Sequence, residues 1–316
     1  MDPRFLDLFE SKGKRLKIEG DWLLSAFERV PIRHGIPRFS PDISYSSGNF
    51  SLLRERHAKL QLDSINGTRD RLETILSRTN WPRDFFKDKT ILECGCGAGP
   101  DTEVLAGLGA YVLAVDLSGL DIAKKNVPHP NVQFVQADIM NLPLRRKSFD
   151  IVFCHRVLQH TPNPGECLQS ILSFVKDSGA VFVHSYAFHF AQLFRWKYVL
   201  RPITKRIAAD RLYQTIRGYA TTGFRVTRLL NKYTITRYIA WVLIPFLNYR
   251  HQPAFKDKSD EYLIEYGIHD TFDALSPKFD RPLPWWRMRK IATQSLQADF
   301  EIVRTPTITL LRSKLI

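Results

Sequence analysis

The chain has 316 residues, 44% of them apolar, enough for one large domain or one domain with sizeable additions. No run of about 18 apolar residues exists, which argues against a membrane-spanning helix; the nearest approach, 238–247, is short and carries Pro245. The net charge is +14, and most of it sits in residues 187–250, where 12 Lys/Arg face one acid, Asp210.

The N-terminus, "MDPRFLDLFESKGKRLK", is charged throughout and lacks the apolar stretch of a signal peptide, so a cytoplasmic address is expected. Residues 1–50 mix charges with short apolar runs around Gly20 and Gly35 and read as an N-terminal extension of short strands and turns. A helical period follows, with Leu72, Ile75 and Leu76 on one face. From Thr90 to Tyr186, apolar runs end at Glu93, Asp116, Val135, Cys154 and His184. Glu93, Asp116 and Asp138 follow one another at intervals of 23 and 22 residues, long enough for strand, helix and return. Runs such as "YVLAV" and "DIVFC" suit strands covered on both faces, so the fold class is α/β, a Rossmann-like doubly wound sheet.

The strand pattern stops after Tyr186. Leu193, Trp196, Leu200, Ile203 and Ile207 predict an amphipathic helix, which Pro202 would kink or end. "FEIVRTP" and "TITLLRS" predict a final antiparallel pair. Four segments result: the extension 1–50, a core 51–186, a basic helical insertion 187–268 that covers the acceptor, and a completion of the sheet by 269–316. Cysteines 94, 96, 154 and 167 are spaced for neither a zinc site nor a disulfide framework, so buried thiols and no metal are expected.

The stretch "TILECGCGAGPDTEVL" carries the chemistry. Gly95, Gly97 and Gly99 are one residue tighter than the dinucleotide pattern G-x-G-x-x-G, and Glu93 stands two residues before the first glycine. That acid would repel a pyrophosphate and attract an ammonium group, which disfavours a nicotinamide-dependent oxidoreductase. Asp116 closes the second run, where a carboxylate can accept ribose hydroxyls. Asp138 follows the third run, placed for an adenine amino group, with the N–H of Ile139 near a ring nitrogen. All stand at the carboxyl ends of successive strands, the usual crevice of such a sheet. Ammonium, ribose and adenine without pyrophosphate describe S-adenosylmethionine.

In "ILECGCGAG", "VLAVDLS", "VQADIMNLP" and "FDIVFCHRVLQHTPNP", in that order, the chain resembles the class I S-adenosylmethionine-dependent methyltransferases over about residues 88–186. "IPRF", "KLQLDSINGTRDRL" and "HDTFDALSPKFDRP" resemble, more loosely, a bacterial subgroup with a helical insertion before its last two strands. The resemblance implies a seven-stranded sheet of order 3-2-1-4-5-7-6 with strand seven antiparallel. It also implies that Glu93 holds the methionine amino group. Gly95, Cys96, Gly97 and Gly99 would line the cofactor, Asp116 with Leu117 the ribose, and Asp138 with Ile139 the adenine. His155 stands among the cofactor contacts as well.

For the transfer, His160 and His155 are candidate bases, His184, Tyr186 and His189 weaker ones, each set against a structural role. Asp273, with Asp270, is a candidate acceptor contact or latch, against a helix cap and turn before Pro277. Gln61, Asp63 and Arg71 are candidates for closing the pocket. In the basic segment Lys197, Arg201 and Lys205 are spaced by four and share one helix face if Pro202 permits. Its 12 cations and 13 aromatics fit a solvated cover, a site for an anionic acceptor with peripheral membrane contact, or an RNA grip. The expected activity is methyl transfer to oxygen of a small-molecule or glycan-like acceptor. An RNA methyltransferase and a non-catalytic cofactor-binding partner are the alternatives.

Overall fold

The computed structural model describes residues 3–40, 47–188, 195–252 and 255–315. Seven strands form one sheet: β1 (Thr90–Cys94), β2 (Tyr111–Asp116), β3 (Val132–Gln136), β4 (Phe149–Cys154), β5 (Val175–Tyr186), β6 (Phe300–Arg304) and β7 (Ile308–Ser313). Their order is 3-2-1-4-5-7-6, and β7 runs antiparallel to both its neighbours, as the sequence predicts. Neighbouring residues along a strand enter opposite cores: Ile91, Val112, Ala114 and Phe134 pack on one face, Leu92, Leu113, Val115 and Val135 on the other. Both faces being covered, the strands need no polar alternation, which is why they read as continuous apolar runs.

The chain divides into two compact units, one of residues 1–47, 61–188 and 279–316, the other of 48–60 and 189–278. The segment boundaries drawn from sequence shift accordingly. Residues 48–60 group with the insertion, and the boundary at 268 falls inside one continuous helix, Asp260–Leu275.

In the first unit, α1 (Asp70–Thr79), α2 (Pro100–Gly107), α3 (Leu120–Asn126) and α4 (Pro164–Leu172) accompany the sheet. The carboxylate of Asp63 caps α1 from outside, accepting the backbone N–H groups of Arg71 at 3.1 Å and Leu72 at 3.0 Å. The N-terminal residues form an antiparallel meander of strands 17–19, 22–24, 29–33 and 36–37. Phe5, Phe9 and Leu23 are buried in the same core as Leu92. The "IPRF" stretch clamps the end of β3: the Phe39 N–H donates to Gln136 O at 2.8 Å, and Arg38 donates to Gln136 Oε1 and to Asp121.

The second unit holds α5 (Trp196–Thr204), α6 (Ala209–Leu230), α7 (Thr234–Leu243) and α8 (Asp260–Leu275) around Tyr213, Ile216, Phe224, Leu263 and Phe272. Gly267 lets the Phe246 ring lie against α8, where a Cβ would collide with it. Three expectations change here. The helix expected over 193–207 ends at Thr204, two residues after Pro202; Leu193, like His189, lies outside the described residues. Lys197 and Arg201 do not join exposed Lys205 on a solvated face, being 7% and 8% exposed. Arg201 donates to Ala274 O at 3.0 Å and Pro277 O at 2.6 Å, so its charge meets the carbonyl end of α8. Asp270 and Asp273 cap nothing: both lie inside α8, whose N-cap is Ser259.

Candidate active site

The glycine loop follows β1 because its backbone turns back beneath β2. The N–H groups of Gly95 and Cys96 both donate to Val115 O, at 2.8 and 3.0 Å. Gly95 has φ +83°, and a Cβ there would collide with Val157, so no other residue fits this turn without displacement. Gly99 closes the loop as the N-cap of α2, with Pro100 in the first helical turn and acids Asp101 and Glu103 near its positive end.

Asp116, at the end of β2, holds the loop from the other side. Its Oδ2 accepts the Gly97 N–H at 2.9 Å, and its Oδ1 those of Leu117 and Ser118 at 2.7 and 3.3 Å. The carboxylate is thus fixed at the strand end by three donors. Leu117 and Cys96 are buried beside it. Past β3, Asp138 is half-buried and accepts the Met140 N–H at 2.9 Å in a local turn, with Ile139 buried next to it.

Glu93 is 2% exposed and accepts the Thr102 hydroxyl at 2.7 Å. Burial, then the charge of Asp101, push its pKa up to about 8, and Asp116 adds to the effect. A buried carboxyl between two other acids favours a cationic ligand, since a positive group would relieve both the desolvation and the repulsion.

Around Asp101 lies a network that the sequence did not single out. His155 Nδ1 lies 2.9 Å from Asp101 Oδ2, and Arg78 donates to His155 Nε2 at 2.7 Å. Arg71 Nε sits 3.5 Å from Asp101 Oδ1, which accepts no hydrogen bond, while another Arg71 nitrogen donates to Gln61 Oε1. The Arg78 donor makes Nε2 the acceptor nitrogen, so His155 carries its proton on Nδ1 and gives it to Asp101. Burial lowers the His155 pKa to about 4, against the pull of Asp101. For Asp101, burial opposes the charge, but His155 and Arg71 prevail and hold the carboxyl below the usual range. The only sign of Asp101 in the sequence is an acid two residues after the last glycine of the loop.

The network changes the standing of His155. Both ring nitrogens are engaged and the residue is 5% exposed, so it has no nitrogen for a substrate proton and stands as a positioning residue. His184 packs edge-on to it with ring centroids 5.0 Å apart, and burial drives its pKa well below the ordinary value. His160 differs. It is half-buried, and its Nδ1 lies 3.2 Å from Phe279 O, an acceptor only, so the ring carries its proton on Nδ1. Tyr186 meets its ring edge-on at 5.9 Å.

Of the remaining candidates, Gln61, Asp63 and Arg71 do converge on α1 and Asp101, as hydrogen-bonding and capping groups. Asp270 accepts the Tyr249 hydroxyl at 2.5 Å within the second unit, and Asp273 is half-buried on α8. The four cysteines are free and buried. Among the described residues, no group of three or more His, Cys, Asp or Glu is placed to hold a metal.

Residues 92–183 match the family model described as a methyltransferase domain. A ubiquinone biosynthesis O-methyltransferase of Glaesserella parasuis is 33% identical over 104 residues, 30% of this chain and 44% of the relative. The mitochondrial ubiquinone biosynthesis O-methyltransferase of Schizosaccharomyces pombe is 34% identical over 125 residues, 37% of this chain and 44% of the relative. The chain thus spans less than half the length of these curated relatives. A solved S-adenosylmethionine-dependent methyltransferase from Mesorhizobium loti shares 24% identity, with a TM-score of 0.31, over 34% of this chain and 50% of its own. The sheet order and the strand-end acids thus accompany a stretch, residues 92–183, that matches a methyltransferase domain.

Proposed function

We propose that the chain transfers a methyl group from S-adenosylmethionine to an oxygen of a small-molecule or glycan-like acceptor. The observation that carries the reading is the buried Glu93 beside Asp101 and Asp116 at the carboxyl end of β1 and β2, a site that favours a cation. The names of the curated relatives support oxygen as the acceptor atom. When bound, the cofactor supplies an electrophilic methyl on sulfur.

The protein's part is to hold and align. Glu93 takes the ammonium group, the backbone of Gly95, Cys96, Gly97 and Gly99 passes close to the cofactor, Asp116 with Leu117 takes the ribose, and Asp138 with Ile139 the adenine. His160 Nε2 receives the proton of the acceptor hydroxyl as the oxygen becomes nucleophilic. His155 acts at one remove by holding Asp101 and Arg78 in place. Alignment of acceptor and methyl in one line supplies much of the rate. Asp273 has no assigned step.

Calorimetric titration with S-adenosylhomocysteine tests this. Asp116→Ala removes the carboxylate that fixes the loop and meets the ribose, and is expected to weaken binding at least about a hundredfold. Unchanged affinity would sink the assignment. The Glu93 proton gives a second prediction. Its pKa is raised from 4.5 in the unfolded chain to about 8, so its contribution to stability is full below about 4.5 and lost as pH rises towards 8. An ammonium group against Glu93 reverses the shift and expels the proton. Between those pH values, binding of S-adenosylhomocysteine should therefore release up to about one proton, and its enthalpy should vary with the ionisation enthalpy of the buffer. Identical enthalpies across buffers would rule this out.

A further inference from the structure

In the second unit the exposed face of α7 is apolar. Ile235, Ile239 and Leu243 recur at four residues with Tyr238 beside them, one side of the helix, and Ile235 is 78% and Leu243 67% exposed. Leu229 and Tyr233, where α6 leads into α7, extend the patch, the latter 72% exposed. Large exposed apolar side chains gathered on one helix mark a surface that something covers.

The charge around this face says what. Between Asp210 and Asp257 there is no acid, and eight Lys/Arg fall in that interval. Arg225, Arg228 and Lys232 are exposed on and just after α6, and Arg228 pairs with Asp260 at 2.7 Å. Beside the face opens a cavity of about 270 Å³ lined by Trp196, Asn231, Arg237, Trp241, Asn248 and His251, among others, without any acid. The Trp196 indole N–H is buried and finds no acceptor among the described residues. At ten residues, α7 is about 15 Å long, half the hydrocarbon thickness of a bilayer, and no described helix is long and apolar enough to cross one.

We propose that α7, with the end of α6, is an interfacial docking helix for an anionic phospholipid surface. The aliphatic residues enter the headgroup–acyl boundary, and the surrounding Lys and Arg meet lipid phosphates. A protein partner or nucleic acid is disfavoured by the combination: an aliphatic and aromatic exposed face does not suit phosphate-rich RNA, and the excess of Lys and Arg over acids around it favours a surface of uniform negative charge. This inference stands apart from the methyl-transfer reading, since the cofactor site lies in the first unit and is titrated separately.

The test uses the full chain, sedimented with phosphatidylcholine vesicles and with phosphatidylcholine–phosphatidylglycerol vesicles. Binding is expected to the second kind and to weaken as salt is raised. Ile235→Asp with Leu243→Asp should lower partition about a hundredfold. Arg225→Glu with Lys232→Glu should lower it about tenfold or more, on the anionic vesicles alone. All four residues are exposed, so the variants should keep wild-type affinity for S-adenosylhomocysteine if folded. Absence of partition into phosphatidylglycerol vesicles overturns the proposal. So does wild-type partition by the folded aspartate variant. Light scattering that finds a dimer for the wild type and a monomer for the aspartate variant would assign the face to a second copy instead, and overturns it too.

Discussion

Replacing Asp101 by alanine is expected to destabilise the first unit by about 3–5 kcal/mol, because it strips the shared partner from a buried network. Asp101 is 8% exposed, and it faces His155 at 2.9 Å and Arg71 at 3.5 Å; Arg71 is itself 7% exposed. Without the carboxylate, the Arg71 charge and the His155 N–H remain buried with their main acceptor gone. Asp101→Asn keeps an acceptor for the His155 N–H and should cost less. Urea unfolding midpoints for wild type and both variants decide it, and a loss below about 1 kcal/mol for alanine would remove the network from the account of the site. Acid dependence supplies a second reading. The His155 pKa is lowered from 6.5 to about 4, so the advantage of keeping it neutral is full above about 6.5 and lost as pH falls towards 4. Glu93 works in the opposite direction over an overlapping interval, since its contribution falls as pH rises. Removing Asp101 relieves the repulsion on Glu93, and the alanine variant should therefore lose less stability above neutral pH than the wild type does.

Replacing His160 by alanine is the second large effect, and it falls on turnover. A positioned base contributes about 10²–10⁴ to the rate, and the loss should appear in kcat with cofactor affinity unchanged. A carbonyl can only accept, so the Phe279 carbonyl holds the proton of the ring on Nδ1, and Nε2 is the nitrogen proposed to take the acceptor proton. If stability falls instead and turnover falls only with the folded fraction, the ring is a strut between the β4 loop and residue 279, and the base lies elsewhere. His155→Ala is the control, expected to act on stability first because its ring is enclosed by Asp101 and Arg78.

The candidate site was unevenly legible. Glu93, Asp116, Asp138 and the glycines could be read because each sits where a strand ends, and strand ends show locally in an apolar run and what stops it. What separates His155 from His160 in the fold could not be read. His155 and His160 differ by five positions, yet one is sealed by Asp101 and Arg78, 54 and 77 residues away, and the other is oriented by a carbonyl 119 residues away. Asp270 and Asp273 looked like a cap before Pro277 because Asp favours helix starts, but the helix had already begun at Asp260.

The sequence by itself determined the α/β class, the strand order through its resemblance, and the strand-end acids with the tight glycine loop. Strand periodicity, crossover length and backbone turns are properties of neighbouring residues, and they survive without knowledge of the rest of the chain. Only the tertiary structure decided which charges are buried and which apolar faces are not. Spacing could put Lys197 and Arg201 on one helix face, but only the folded chain shows both buried, Arg201 at the carbonyl end of α8, and the aliphatic side of α7 exposed. A helical period tells which residues share a face. Whether that face is covered depends on elements distant in sequence, and hence on the packing of the folded chain.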